Sequence, residues 1–311
     1  MISIYMTQDG RLREREDIVP GAWVDLCAPT EEEIVRVSHE LRLDPAAIRA
    51  ALDEEERSRI EQEDDYLLVL VDTPSVEVQA QRGFVYTTLP FGIILTQDNI
   101  VTVCLRESAL AQAMTESPMK SFSTKKKNRM TLQMLYRNAT LFLFYLREVE
   151  KASNRVENEL HNSMRNKELI QMLGLEKSLV YFSTSLKGNE LVLEKMLRMD
   201  FVKNFPDDTE LLEDVIIENK QAIEMANIYR DILSGTMDAF ASVISNNLNI
   251  VMKVLASVTI ILTIPTIVFG LWGVNVPVPF ENSAAGFWLV IGIAVLCTAT
   301  SILLMVKKKW L

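Results

Sequence analysis

The sequence predicts a membrane protein with an α+β domain first, long stalk helices next and two transmembrane helices at the C-terminus. Two apolar stretches, residues 254–272 and 284–306, lack charged side chains. Each is long enough to cross the roughly 30 Å hydrocarbon core of a bilayer as a helix. Before about residue 120, β-branched and aromatic runs alternate with turn residues, as in a mixed α/β domain. Helical patterns without proline then continue from about residue 125 to Pro206.

These patterns divide the chain into six segments. The four larger ones are an α/β domain, a helical stalk region and the two spans, and a short loop and a basic tail complete the chain. In chain order the predicted segments are 1–122, 123–250, 251–272, 273–283, 284–306 and 307–311.

Local signals place the elements of the first domain. A short strand is expected at 23–26. Thr30 to Glu33 forms a capping-box sequence that opens a helix to about Leu41. Asp44-Pro45 opens a second helix, with proline at the first helical position. Runs of β-branched and aromatic residues then predict strands at 66–71, 84–95 and 100–105, the last two joined as a hairpin at Asp98-Asn99.

Three long helices are predicted after this domain. The first covers about 128–166, and the second covers 169–199 with a bend at Gly174. The third begins near Asp207 and has apolar residues at steps of three and four. Because no proline interrupts it before Pro265, we expect it to run on into the first span. About 60 such residues would make a helix of roughly 90 Å, which is typical of a stalk.

Composition excludes several classes of function. The net charge of −10 argues against nucleic acid, since a phosphate-binding surface needs a basic face. The three cysteines form no CxxC motif, and the two histidines, His39 and His161, are far apart, so a structural zinc site is not expected. The sequence contains no phosphate-binding loop and no Ser/His/Asp or Cys/His set. We therefore expect neither an enzyme nor ATP-driven transport.

Basic residues flank the predicted spans on one side. Lys253 precedes the first span, and Lys307, Lys308 and Lys309 follow the second. The loop between the spans has no lysine or arginine and carries one acidic residue, Glu281. Since basic residues favour the cytoplasmic side, both termini are expected in the cytoplasm of a cell whose plasma membrane the chain crosses twice.

One face of the first span is small and hydroxylated. Its members follow one another at steps of three or four, so they share a helix face. The polar stripe, as we call it, comprises Asn249, Met252, Leu255, Thr259, Thr263, Thr266 and Gly270.

The stripe has two interpretations. Threonine can bond back to its own helix, and small residues help helices pack, so the face could be a packing seam. Alternatively, several copies of the helix around an axis could line a pore, with Met252 and Leu255 as an apolar constriction. Asparagine and threonine oxygens could then hold a small cation with its hydration water, which suits Mg²⁺ because it dehydrates reluctantly.

Several motifs resemble the CorA family of divalent-cation transporters. The family's Gly-Met-Asn tripeptide at the end of the first span stands here as Gly273-Val274-Asn275. Stretches 251–255 and 229–235 and the ending 307–311 are similar to the family, and 55–57 with 66–69 resembles its N-terminal domain. The resemblance covers essentially the whole chain.

The resemblance implies a funnel-shaped homopentamer in the lipid bilayer, with the first span lining the pore and the second outside it. Gly273, Val274 and Asn275 would form the selectivity filter. Mg²⁺ would be both the transported ion and a regulatory ligand that closes the channel between cytoplasmic domains. Asp214 falls at the position of one regulatory carboxylate, and Asp72 and Glu77 are candidates for its partner.

The sequence departs from the family pattern in two places. Val274 replaces the central methionine, and the loop that follows lacks the usual Met-Pro-Glu sequence, although Glu281 could supply negative charge at the outer mouth. These changes bear on which ion is carried.

Three functions remain open from the sequence. The first is channel-like uptake of hydrated divalent cations, above all Mg²⁺ with Co²⁺ and Ni²⁺, driven by the membrane potential. The second is a zinc-preferring transporter of the same family, which the lack of histidine and cysteine near the stripe disfavours. The third is a membrane-anchored cation sensor that transports nothing.

Overall fold

A computed structural model gives the fold of the 311-residue chain. Backbone contacts divide it into two compact units, Met1–Thr236 and Met237–Leu311, which are described separately below. The structure describes residues 1–79, 83–163, 166–199, 206–275, 278–279 and 283–308.

A seven-stranded mixed sheet forms the centre of the first unit. The strand order is β2-β1-β3-β7-β6-β5-β4, in which β3 and β7 are parallel and the other neighbours are antiparallel. The strands are β1 Ile2–Gln8, β2 Arg11–Arg15, β3 Trp23–Cys27, β4 Arg59–Gln62, β5 Tyr66–Gln79, β6 Gly83–Thr96 and β7 Ile100–Cys104.

Seven helices accompany the strands in the described part of the chain. The sixth passes the boundary between the two units, and the seventh lies wholly in the second unit. The helices are α1 Glu31–Leu41, α2 Pro45–Ala50, α3 Ala109–Glu116, α4 Lys127–Ser163, α5 Asn166–Arg198, α6 Pro206–Trp272 and α7 Ala284–Lys307.

Successive strand residues point to opposite sides of the sheet, and an apolar cluster covers each of its two faces. Val24 and Leu26 are buried in one apolar cluster, which also contains residues of α1 and α2 such as Ile34. Trp23 and Val71 are buried in a second, larger cluster, to which α3, α4, α5 and α6 contribute. The predicted α+β class is therefore confirmed, with a core on each face of the sheet.

Both predicted helix starts in this domain are confirmed. The Thr30 hydroxyl accepts from the Glu33 backbone N–H, and the Glu33 carboxylate accepts from the Thr30 N–H, which completes the capping box. The Asp44 carboxylate caps α2 by accepting from the Ala46 N–H at 2.8 Å, with Pro45 at the start of the helix. These caps satisfy backbone donors that the first helical turn leaves unpaired.

The predicted strands were too few, and one of them was much too short. The strand expected at 66–71 extends to Gln79, and it pairs along its whole length with β6. Strands β1, β2 and β4 and helix α3 were not predicted. The prediction for the helices was closer, but α4 ends at Ser163 and α5 already begins at Asn166, so the break between them was placed too late.

In the second unit, two helices are long and apolar enough to cross a membrane, as predicted. Helix α6 continues without a break to Trp272, although it contains Pro265. Helix α7 begins after Ser283, whose hydroxyl accepts from the Ala285 N–H at 3.2 Å. The two helices pack through a small apolar cluster in which Val268 of α6 meets Val290 and Ala294 of α7.

Candidate functional site

The polar stripe of α6 lies entirely on the exposed surface of the chain. Near the N-terminal end of the stripe, the side chains of Met252 and Leu255 are 55% and 58% exposed. No helix of the described chain covers these side chains. The other members, Asn249, Thr259, Thr263, Thr266 and Gly270, are exposed as well.

The face of α6 opposite the stripe is the one that packs. Val268 is buried against α7, and it lies nine residues after Thr259, a stripe member. Ser257 is fully buried and lies nine residues before Thr266. Because nine residues make two and a half helical turns, each of these pairs points in opposite directions. The second span therefore occupies one side of α6 and leaves the stripe free.

The threonine hydroxyls of the stripe donate to their own helix. Thr259 donates to the Leu255 carbonyl at 2.9 Å, Thr263 to the Thr259 carbonyl at 2.7 Å and Thr266 to the Leu262 carbonyl at 3.0 Å. A hydroxyl has one proton to donate and two lone pairs that accept. With its proton engaged, each exposed threonine oxygen offers only acceptor sites to whatever lies in front of the stripe.

The C-terminal end of α6 carries the predicted filter residues. The helix ends at Trp272, and the Gly273 N–H still bonds to the Phe269 carbonyl at 2.9 Å. A Cβ at position 273 would lie 3.2 Å from that carbonyl oxygen, which is a tight contact. Val274 and Asn275 follow outside the helix, and both side chains are exposed. The predicted mouth residue Glu281 lies outside the described residues.

The three carboxylates considered for regulation have different surroundings. Asp214 is exposed on α6, and none of the described residues forms an ion pair with it. Glu77 accepts from the Arg106 guanidinium, which also bonds to Glu54 at 2.7 Å. Within the described chain, no group of three or more His, Cys, Asp or Glu side chains is placed to hold a metal.

Asp72 is held inside the first unit rather than at its surface. Burial raises the pKa of its carboxyl group, and a hydrogen bond to Ser185 opposes that rise. Its backbone is bonded by two asparagines, Asn138 on α4 and Asn189 on α5. These partners could not be predicted from the sequence, because each lies more than 60 positions away along the chain and has no periodic pattern.

A buried carboxyl group also lies in the sheet. Trp23 Nε1 donates to the Thr102 hydroxyl at 2.7 Å, and Thr102 donates to Asp25 Oδ1 at 2.6 Å. Burial raises the pKa of Asp25 from 3.8 to about 6, against the lowering effects of Thr102 and the N-terminal ammonium group. Ionising Asp25 at neutral pH therefore opposes folding.

The stability of the protein should fall as the pH rises through about 6. The folded pKa of Asp25 is above its unfolded value, so its stabilising contribution is complete below about 4 and is lost above about 6. We expect the melting temperature of Asp25→Asn to change less between pH 5 and 8 than that of the parent, because asparagine keeps the Thr102 acceptor without ionising. Thermal melts at pH 5 and pH 8 provide the measurement. An equal change in melting temperature for the two proteins would contradict the role given to Asp25.

These features define a class of protein. An α+β domain precedes two membrane-spanning helices, and the first of these presents an exposed line of oxygen acceptors that suits passing cations. This is the organisation of a membrane protein that transports cations.

Comparison with known sequences identifies the family. The family described as CorA-like Mg²⁺ transporter protein matches residues 21–308. The chain therefore belongs to this family and is a divalent-cation transporter of the magnesium-transporter type, not an enzyme.

Individual relatives support this assignment. The cobalt/magnesium transport protein CorA of Methanocaldococcus jannaschii is 27% identical over 303 residues, covering 93% of this chain and 91% of the relative. The putative metal ion transporter YfjQ of Bacillus subtilis is 19% identical over 291 residues, covering 93% and 89%. The complete structure of the Methanocaldococcus jannaschii CorA magnesium transporter matches with a TM-score of 0.85 at 23% identity, covering 100% of this chain and 99% of that one. That structural match supports the fold.

Proposed function

We propose that this chain forms a homopentameric channel that carries hydrated divalent cations, chiefly Mg²⁺, along an axis lined by the polar stripe. The observation that carries the proposal is the acceptor-only character of the three stripe threonines on the face of α6 that α7 leaves free. In this arrangement the first spans of five chains surround the pore and the second spans lie outside them.

Assembly of several copies follows from the limits of one chain. Two membrane helices cannot enclose a pore by themselves. Every residue of α6 from 241 to 256 is exposed in the single chain, although many of these side chains are apolar, including Val243, Leu248 and Val251. Burying such side chains against identical helices is favourable, at about 25 cal/mol per Å² of apolar surface outside the bilayer. The number of copies, five, is the one that the resemblance to the CorA family implies.

The stripe suits a cation that keeps its water. Water bound to a cation turns its oxygen to the ion and its hydrogens outward, so a hydrated cation presents donors to the pore wall. Threonine oxygens whose own protons are engaged in the helix can accept these donors. A hydrated anion presents the opposite polarity and finds no donors in the three threonines. The wall therefore favours cations and does not require Mg²⁺ to lose its tightly held water.

The driving force is the membrane potential. We infer that both termini are cytoplasmic, from the lysines flanking the spans, and that the cations enter the cell through its plasma membrane. An inside-negative potential of 100 mV contributes about 2.3 kcal/mol per charge, which is about 4.6 kcal/mol for a divalent ion. This is sufficient for passive uptake. Co²⁺ and Ni²⁺ have the same charge and also hold hydration water, so we expect them to be carried.

Reconstitution in liposomes tests the proposal. With a Mg²⁺-sensitive dye inside, imposing an inside-negative potential should produce uptake. Absence of uptake, with a verified pentamer and a working reference transporter, would favour the membrane-anchored sensor instead. Running Co²⁺, Ni²⁺ and Zn²⁺ in parallel, with and without a pH gradient, separates the zinc-preferring alternative, for which Zn²⁺ flux would exceed Mg²⁺ flux.

Replacing Thr263 by valine should lower Mg²⁺ uptake by about tenfold, because a ring of methyl groups dewets the pore where acceptors held water. The matched control is Thr300→Val on α7, since Thr300 is exposed and donates to its own helix in the same way, at 2.7 Å. Initial uptake rates in liposomes at equal protein density are the measurement. Equal losses in the two variants would contradict a pore lined by the stripe.

We also propose that intracellular Mg²⁺ closes the channel by binding at Asp214 between neighbouring chains. Exposure and lack of an ion pair support Asp214 as the accessible carboxylate. Asp72 and Glu77 remain candidates for the partner, although Glu77 must give up Arg106 and Asp72 is partly buried. Closure at an interface is consistent with the absence of a three-ligand group within the described chain.

Replacing Asp214 by alanine should raise the Mg²⁺ concentration that closes the channel by several-fold. The adjacent Glu213→Ala is the control, because Glu213 is also an exposed carboxylate of α6. Both Mg²⁺-dependent flux and protection from protease are measured over a Mg²⁺ titration. If the two variants behave alike in both assays, Asp214 contributes only surface charge.

A further inference from the structure

Two cysteines of the first unit lie side by side on neighbouring strands of the sheet. Cys27 ends β3 and Cys104 ends β7, and the parallel register places them directly opposite. Neighbouring strands are about 4.8 Å apart, so side chains at paired positions lie next to each other on one face. Both cysteines are free thiols. Cys104 lies in the large apolar cluster and Cys27 packs against it, so the thiols share the same face of the sheet.

The strand register places the two thiol side chains next to each other, and both can be reached from outside the core. Burial raises the pKa of both thiols, and the interaction between the two side chains raises the pKa of Cys104 further while it opposes the rise for Cys27. The Cys104 thiol also approaches the Leu26 carbonyl at 3.8 Å. Although only 3% exposed, Cys104 lines a cavity of about 190 Å³ together with Glu107 and Ser108. Cys27 is half-buried and open to the surface. A small ion can therefore reach the pair.

We propose that the Cys27 and Cys104 sulfur atoms form a two-coordinate binding site for a soft monovalent cation of the Cu(I) type. Thiolate sulfur selects soft ions over the hard, oxygen-seeking ions that the family transports. The number of sulfur ligands further limits which metal ion can bind. Zn²⁺ requires four ligands, but no third His, Cys, Asp or Glu of the described chain completes a metal-binding group here. Two opposed sulfurs are a complete ligand set for Cu(I).

Nearby polar groups are engaged elsewhere. Asp25 precedes Cys27 by two residues on the same face, but its carboxyl group is bonded to the Thr102 hydroxyl. The Met1 amino group, next to the pair, bonds to the Cys27 carbonyl at 2.8 Å and to Glu33 at 3.0 Å. These groups hold the backbone around the thiols in place and do not supply further ligands. Glu107 also lies near Cys27 but is exposed, and the two sulfurs are the ligands that we assign to the site.

The chemistry of sulfur makes the pair selective. Soft sulfur ligands bind Cu(I) strongly, whereas Mg²⁺ prefers oxygen ligands. Binding releases two protons, since two thiols and one monovalent ion give a bis-thiolate complex with a single negative charge. Only an ion that bonds strongly to sulfur can displace these protons. The site is thus independent of the proposed pore and of its cargo.

The test uses the full-length protein with Cys297→Ser, which leaves Cys27 and Cys104 as the only thiols. Cu(I) is offered without oxygen as its coloured bicinchoninate complex, and loss of colour reports transfer to the protein. We expect one Cu(I) per chain. Adding Cys27→Ser should weaken binding by at least about 100-fold, because one of the two ligands is lost. Restoring Cys297 should change neither the stoichiometry nor the affinity.

Two further experiments test the second ligand and the number of ligands. Cys104→Ala checks the second ligand, and thermal melts establish that each variant is folded; if Cys104→Ala does not fold, Cys27→Ser decides alone. Zn²⁺ in place of Cu(I) checks the number of donors, and tight 1:1 Zn²⁺ binding would overturn a two-coordinate site. Undiminished Cu(I) binding in Cys27→Ser, or no binding in the parent, would also overturn it. None of these readouts depends on transport.

Discussion

Replacing Asn275 by alanine should abolish selective Mg²⁺ uptake, with a loss of at least about 100-fold under the same membrane potential. Asn275 lies just beyond the end of α6, and its side chain is exposed. In a pentamer this position contributes five amide oxygens around the axis, which can accept from the water of an arriving ion. Alanine removes all of these acceptors and leaves nothing that recognises the hydrated ion.

The neighbouring residue provides the control for Asn275. Val274→Met restores the tripeptide typical of the family, and we expect it to keep uptake, because we propose that the side chain at 274 supports the turn and leaves contact with the ion to Asn275. Initial Mg²⁺ flux and its competition by Co²⁺, Ni²⁺ and Zn²⁺ are measured in liposomes for both variants. Unchanged flux and ion order in Asn275→Ala would remove this residue from the filter.

Features encoded by local sequence were predicted correctly. The two membrane-spanning helices follow from uncharged apolar length, and both helix caps follow from short motifs at Thr30 and Asp44. The stripe followed from spacing alone, since a face of a helix is fixed by steps of three and four. The structure added what spacing cannot supply, which is that α7 packs on the opposite face.

Elements whose stability comes from distant parts of the chain were missed. Strand β2 reads Arg-Leu-Arg-Glu-Arg and is almost entirely exposed, so it has no apolar alternation to detect. It forms because β1 offers a partner at the edge of the sheet. Strand β5 was ended at residue 71 because turn residues follow its run of apolar and β-branched side chains. The structure continues the strand, since groups outside the sheet replace missing ladder bonds.

Site residues were predictable only where one element defines them. Asp72, Glu77 and Asp214 were chosen by type and position, and their partners could not be known. The Arg106 guanidinium that binds Glu77 comes from beyond β7, and the hydroxyl next to Asp72 comes from Ser185 on α5. Such pairings depend on how the sheet and helices pack, which one sequence does not encode locally.

The clearest example of such a distant partner is Asn189. Asp72 pairs in the sheet with Pro90, which has no N–H to donate. Asn189 forms hydrogen bonds with both backbone groups of Asp72. Its Oδ1 accepts from the Asp72 N–H at 2.8 Å, and its Nδ2 donates to the Asp72 carbonyl at 2.9 Å. The same Oδ1 also accepts from the Ser58 hydroxyl at 3.0 Å. One amide on α5 thus joins β5 and the segment before β4.

Replacing Asn189 by alanine should destabilise the first unit by about 3 kcal/mol, because it removes three hydrogen bonds and leaves the part-buried Asp72 N–H without its partner. For a unit of this size the melting temperature should fall by about 6–12 °C. The matched control is Lys187→Ala, an exposed position on the same helix, which should shift the melt by no more than about 2 °C. Circular dichroism melts of the full chain in detergent measure both variants. Equal melting temperatures would show that water satisfies the Asp72 backbone, and the Asp72–Pro90 pair of β5 and β6 would then need no support from α5.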